Sequence, residues 1–206
     1  MRYPKTFCLL ALLALMLAAT APALAQKSSS KKKASAADDE KAQQEAMMKA
    51  ATPGEEHKML AASAGSWKTA TKMWVAPGQP PVESTGESVI TSVLGGRFIE
   101  EHAKGDMMGM AFEGMGLTGY DNVSKKYIGT WADNFGTVII LMTGTYDAKS
   151  KTMTMTGKYA DPMTGKVKTL KMTSHSDSDS SHVSEFYDEV SPGKFAKIME
   201  LTYTRQ

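Results

Sequence analysis

A chain of 206 residues with 24 Lys and Arg against 22 Asp and Glu is close to neutral, which argues against a nucleic-acid or anionic-membrane partner. One cysteine excludes an intrachain disulfide, and the length suits a single domain with a substantial core.

The first residues have the composition of a cleavable export signal. Arg2 and Lys5 open it, Phe7 to Ala19 is apolar throughout, and Ala23-Leu24-Ala25 offers a small-x-small cleavage pattern. The apolar run is shorter than the roughly 20 residues a spanning helix takes, so no stable membrane insertion is expected after signal removal. Cys8 lies inside that run, and cutting after Ala25 removes it together with two positive charges and no acid. The expected mature chain is formally neutral, free of cysteine, and periplasmic or secreted.

From Gln26 to Thr52 the residues are mainly Lys, Ser, Ala, Asp, Glu and Gln, with no aromatic or β-branched aliphatic side chain. Such a segment buries too little apolar surface to offset its ordering entropy, and reads as a disordered charged tether with a fraying helix around Ala36 to Ala50. Pro53 opens a short helix, with Glu55 and Glu56 in its first turn and Met59 and Leu60 on its apolar side.

After Gly65 the character changes to Gly, Thr, Val, Met and aromatics, with turn formers about every 8 to 12 positions. Alternation predicts about ten strands. They fall near Trp67–Val75, Glu83–Leu94, Arg97–Lys104, Phe112–Tyr120, Lys126–Ala132, Thr137–Tyr146, Lys151–Tyr159, Lys166–Ser174, His182–Val190 and Phe195–Arg205. No helix-period segment intervenes, so sequential strands should pair as a meander that closes on itself to avoid a long sticky edge. An internal echo supports this: Thr118-Gly119-Tyr120-Asp121-Asn122-Val123-Ser124-Lys125-Lys126 resembles Thr143-Gly144-Thr145-Tyr146-Asp147-Ala148-Lys149-Ser150-Lys151. In each, the Asp carboxylate can hold backbone amides two residues on and fix a turn. The boundaries that follow are 1–25 for the signal peptide, 26–52 for the tether and 53–206 for a β-barrel domain.

Several motifs carry a family resemblance: Glu56-His57-Lys58-Met59-Leu60, Gly65-Ser66-Trp67, Gly95-Gly96-Arg97-Phe98, Gly119-Tyr120-Asp121-Asn122, Lys126-Tyr127-Ile128-Gly129-Thr130-Trp131, Gly144-Thr145-Tyr146-Asp147, Met199 and Tyr203-Thr204-Arg205. From about Pro53 to Arg205 the chain resembles the bacterial family catalogued as domain of unknown function 1579, whose members look like calycins, the lipocalin and fatty-acid-binding barrels. The resemblance implies a fold and no particular activity. With the strand pattern, it predicts an all-β, antiparallel, up-and-down calycin-like barrel of about ten strands with a short N-terminal lid helix.

Signatures of catalysis and metal binding are weak. His57, His102, His175 and His182 have no ligand spacing, so no metal or other cofactor is expected. Ser176-Asp177-Ser178-Asp179-Ser180-Ser181 lacks the pattern of a calcium loop and reads as a polar hairpin. The cluster of Met107, Met108, Met110 and Met115 has no His or Cys beside it and fits packing or a cavity wall better than soft-metal binding. No Gly-x-Ser-x-Gly elbow is present, and Gly95-Gly96 lacks the Lys and helix of a phosphate loop.

Alternation places Phe98, Trp131, Ile139, Leu141 and Phe186 on the interior, with His102 as an inward histidine. On the last strand Met199, Leu201, Tyr203 and Arg205 share one face. In fatty-acid-binding relatives an inward Arg with a Tyr two away clamps a carboxylate. The Gly-x-Trp on the first strand and Arg on the last resemble lipocalins more closely, and favour a structural seal in which Arg205 caps Trp67. The functional expectation is an exported binding protein holding a small, largely apolar ligand. The alternatives are an enzyme using Tyr203, Arg205 and His102 on a cavity-bound substrate, or an envelope structural protein with a filled barrel.

Overall fold

The computed structural model describes residues 29–76 and 78–206, with side chains from Ala36 onward. The expected export signal and its cleavage point lie outside the described residues. The chain divides into two compact units between Glu45 and Ala46.

Helix α1 runs over Ser29–Ala51, and its described side chains are exposed. It is longer and more regular than the expected fraying segment, because Ala, Lys, Glu and Gln are strong helix formers even where no face is buried. None of the described helices is long and apolar enough to cross a membrane. Within the second unit, Asn122 caps the end of α1, its amide donating to the carbonyls of Ala50 at 3.0 Å and Thr52 at 2.8 Å. Helix α2, Glu55–Ala61, begins where the Gly54 amide donates to His57 Nδ1 at 3.0 Å. Its buried Leu60 packs against Tyr127, Met142 and Met155.

Ten strands follow: β1 Gly65–Met73, β2 Val82–Val93, β3 Phe98–Met107, β4 Met110–Asp121, β5 Lys126–Asp133, β6 Ile140–Asp147, β7 Thr152–Ala160, β8 Val167–Ser178, β9 Ser181–Ser191 and β10 Lys194–Arg205. Every consecutive pair is antiparallel, and β1 pairs with β10, so the sheet closes and leaves no edge. The expected meander, strand number and calycin-like closure are all present.

The turns follow from their carboxylates. Asp121 Oδ1 accepts the Val123 amide at 2.9 Å, and Asp147 Oδ1 accepts the Lys149 amide at 2.9 Å. Each turn ends in a lysine with positive φ, Lys125 at 56° and Lys151 at 53°, which returns the chain to the ladder. The repeated Asp-x-x-x-Lys is therefore a turn device, and its carboxylates are spent on donors of their own turns, backbone amides and the Ser150 hydroxyl.

Side chains alternate inward and outward along each strand. Two buried clusters, Leu60 with Tyr127, Met142 and Met155, and Trp67 with Ile90 and Tyr203, fill the end beside α2, and Ile99 touches both. A bulge between Lys197 and Met199 turns both Ile198 and Met199 toward the interior.

Candidate functional site

A cavity of about 930 Å³ runs through the barrel. Its wall is largely apolar, with Ile140, Met153, Leu170, Met172, Phe186 and Leu201 among the lining residues. Trp131 stands over the bare α-carbons of Gly114 and Gly116 on the neighbouring strand, where any added Cβ would collide with the indole. Those glycines let a large ring lie against the wall. The indole Nε1 donates to Asp133 Oδ2 at 3.0 Å, which fixes its orientation.

Toward α2 the wall becomes polar. Glu101 on β3 points inward, and its Oε1 accepts the hydroxyls of Ser88 at 2.7 Å and Tyr203 at 3.1 Å. Ser88 is only 1% exposed. Burial raises the Glu101 carboxyl above its usual range, against the lowering effect of the two hydroxyl bonds. Tyr203 is raised well above the ordinary phenol value by burial and by the same carboxylate. The His182 ring stacks on Tyr203 at 4.0 Å between centroids and meets Trp67 edge-on at 4.7 Å. Burial, aided by the charge of Arg205, lowers the His182 pKa to about 4 and keeps the imidazole neutral near pH 7.

The end of this wall is closed by Arg205. Its guanidinium carbon lies 4.2 Å from the Trp67 ring centroid. Nη1 donates to Ala64 O at 2.8 Å, Nη2 to Ala62 O at 3.0 Å and Nε to Asp179 O at 3.1 Å. Three of its five N–H donors are thus held by backbone carbonyls, as a structural seal requires. Gly65, at φ +146°, passes directly beneath Nη1.

At the opposite end Lys168 bridges Asp161 at 2.9 Å and Asp188 at 3.1 Å, while Tyr159 donates to Asp188 at 2.7 Å. The Thr164 hydroxyl and Lys168 hold Asp161 down to about 2, and burial pushes Tyr159 up to about 12.

The residues expected to line the interior divide by strand. Trp131, Phe186 and Tyr203 do line the cavity, whereas Phe98, His102, Ile139 and Leu141 do not. On β3 the inward set is Ile99, Glu101, Ala103 and Gly105, so Phe98 and His102 face out. Phe98 lies against the bare α-carbon of Gly119, and His102 Nε2 meets Glu100 Oε1 at 2.7 Å. This places His102 away from Tyr203 and removes it from any cavity chemistry. Ile139 precedes β6 and is 70% exposed; Leu141 is 55% exposed, and Ile140 and Met142 point inward instead. The cause is the same on both strands: apolar residues occupy both parities, and a one-residue shift exchanges the faces.

Glu101, Ser88 and His182 were not singled out by sequence. A signal for His182 existed, since it shares a face with Phe186 on β9. Met108, Met110 and Met115 are exposed, and Met107 alone of that cluster lines the cavity.

A closed ten-stranded antiparallel barrel around a mostly apolar cavity, with α2 at one end, defines a calycin-like protein. The chain belongs to the family of proteins of unknown function DUF1579, whose family model matches residues 52–205. The crystal structure of Rv2717c from M. tuberculosis is similar in fold, at 15% identity and a TM-score of 0.55, over 75% of this chain and 99% of that one. A redesigned β-barrel also matches, at 15% identity and a TM-score of 0.38, over 71% of this chain and 96% of that one. No curated protein matches the chain.

Proposed function

We propose that this chain is an exported binding protein that holds a small, largely apolar ligand within its barrel. The observation that carries the reading is the cavity of about 930 Å³, which is in the size range of small-molecule sites and has an apolar wall interrupted by a few polar groups. A structural protein with a filled barrel is disfavoured by the same volume. Export rests on the residues up to Ala25. The test is native mass spectrometry of protein isolated from the periplasm of its own host, with sequencing of the mature N-terminus. The expected result is a chain beginning at Gln26 with a mass increment lost on denaturation. Protein without any such increment that also fails to bind the apolar dye N-phenyl-1-naphthylamine would overturn the binding reading.

An enzyme acting on a cavity-bound substrate is the second reading. It is favoured by one observation: burial moves Glu101 up and His182 down on the same wall, with Tyr203 bonded to the first and stacked on the second. Turnover of the co-purified molecule, abolished by Glu101→Gln, would establish it.

A further inference from the structure

We infer that the ligand of this cavity carries a protonated amine on an apolar body, with Glu101 as its counter-ion; this rests on the binding reading above. The geometry around Glu101 points there. Both protein donors, Ser88 and Tyr203, converge on Oε1, and Oε2 takes no donor among the described residues. No buried side-chain oxygen among them is sealed off without a partner, so Oε2 is open to the cavity that Glu101 lines.

The other inward or half-buried acids are treated differently. Asp161 and Asp188 share Lys168, and Glu185 takes Lys197 at 2.6 Å. Glu101 has no such cation within reach among the described residues, although an unpaired carboxylate is costly in an apolar surrounding. Arg205, two residues beyond Tyr203, holds three backbone carbonyls, those of Ala62, Ala64 and Asp179, and makes no ion pair with Glu101. His182, beside Tyr203, remains neutral near pH 7.

The wider cavity has the same sign. Asp106, Asp133, Asp177 and Asp179 line it against Lys104 and Lys151, and Lys104 is itself paired with Glu113 at 3.3 Å. Acidic walls of low dielectric concentrate a cation and repel an anion. A fatty acid would bring its carboxylate up against Glu101, which no lysine or arginine pairs; of the two lining lysines only Lys151, in the turn before β7, has no acid partner among the described residues. An amphiphilic amine would instead bring the missing donor to Oε2 and leave its chain among the methionines. The stretch of wall between Glu101 and the lysine bridge at Lys168 is the apolar part, so the amine belongs at the α2 end.

The test is competition against N-phenyl-1-naphthylamine on the full chain at pH 7, using dodecylamine, dodecan-1-ol and dodecanoic acid below their aggregation concentrations. The expected order is dodecylamine tighter than the alcohol by about tenfold or more, with the acid weakest. Glu101→Gln is expected to remove the amine preference, bringing dodecylamine to within about twofold of dodecan-1-ol in the same variant. If that substitution impairs folding, the rank order in the unmodified protein decides. Equal or tighter binding of the acid overturns the inference, as does an amine preference that survives Glu101→Gln. Displacement by alcohol and acid without amine preference overturns the inference alone, whereas no displacement by any of the three overturns the binding reading with it.

Discussion

Arg205 stands directly opposite Trp67 across the seam between the last strand and the first, its guanidinium carbon 4.2 Å from the indole centroid. The pair joins residues 138 positions apart in sequence order only because the barrel closes. It also ties the incoming chain to the sheet, since Arg205 holds Ala62 and Ala64 while the indole Nε1 donates to Ser63 O at 2.9 Å.

Arg205→Lys replaces a planar, multiply bonded group with a point charge. Loss of the stacking contact and two carbonyl bonds should cost about 1–3 kcal/mol. The melting temperature is expected to fall by about 3–10 °C. Dye binding in the cavity should change by less than about twofold, because Arg205 seals the end rather than lining the wall. A large loss of binding at unchanged stability would show a ligand clamp instead.

Gly65→Ala tests the same corner from below. At φ +146° a side chain is strained, and the new Cβ would press on Nη1 of Arg205. A destabilisation of about 1–3 kcal/mol in urea unfolding is expected. Part of it should vanish in an Arg205→Ala background, where the clash is absent and only backbone strain persists.

The parity of β6 predicts two unequal neighbours. Met142→Ala removes a side chain packed with Leu60, Tyr127 and Met155 and should cost about 2–4 kcal/mol. Leu141→Ala, at an exposed position, should stay within about 0.5 kcal/mol. Equal losses on chemical denaturation would contradict the register.

His182 gives the fold a signed pH dependence. Its folded pKa, about 4, lies below the ordinary 6.5, so between those values the unfolded chain takes up a proton that the folded one refuses. Its contribution is whole above about pH 6.5 and is lost as pH falls toward 4. Glu101 acts oppositely: its raised pKa means that protonation relieves its burial as pH falls. His182→Gln should therefore flatten the decline of melting temperature between pH 7 and pH 4.5. Identical slopes for both proteins would rule out a buried neutral imidazole.

The sequence alone is enough to read strand number, meander and turn chemistry. These are short-range properties, set by alternation over a few residues and by carboxylates such as Asp121 and Asp147 that bond their own turns. It also determined the face of β10, because Met199, Leu201 and Tyr203 alternate with Glu200, Thr202 and Thr204. Only the closed structure decided the faces of β3 and β6. In β3 Phe98 competes with Ile99 and Glu100 with Glu101; at the start of β6 Ile140, Leu141 and Met142, with Ile139 just before them, leave no polar parity to read. The deciding quantity there is what the neighbouring strand presents: Gly119 accepts Phe98 on the outside, and α2 supplies Leu60 to Met142 within. Glu101 was hidden for the same reason. Its Oε1 takes the hydroxyls of Ser88 and Tyr203, residues 13 and 102 positions away, and no local pattern reports a partner brought in by closure of the sheet.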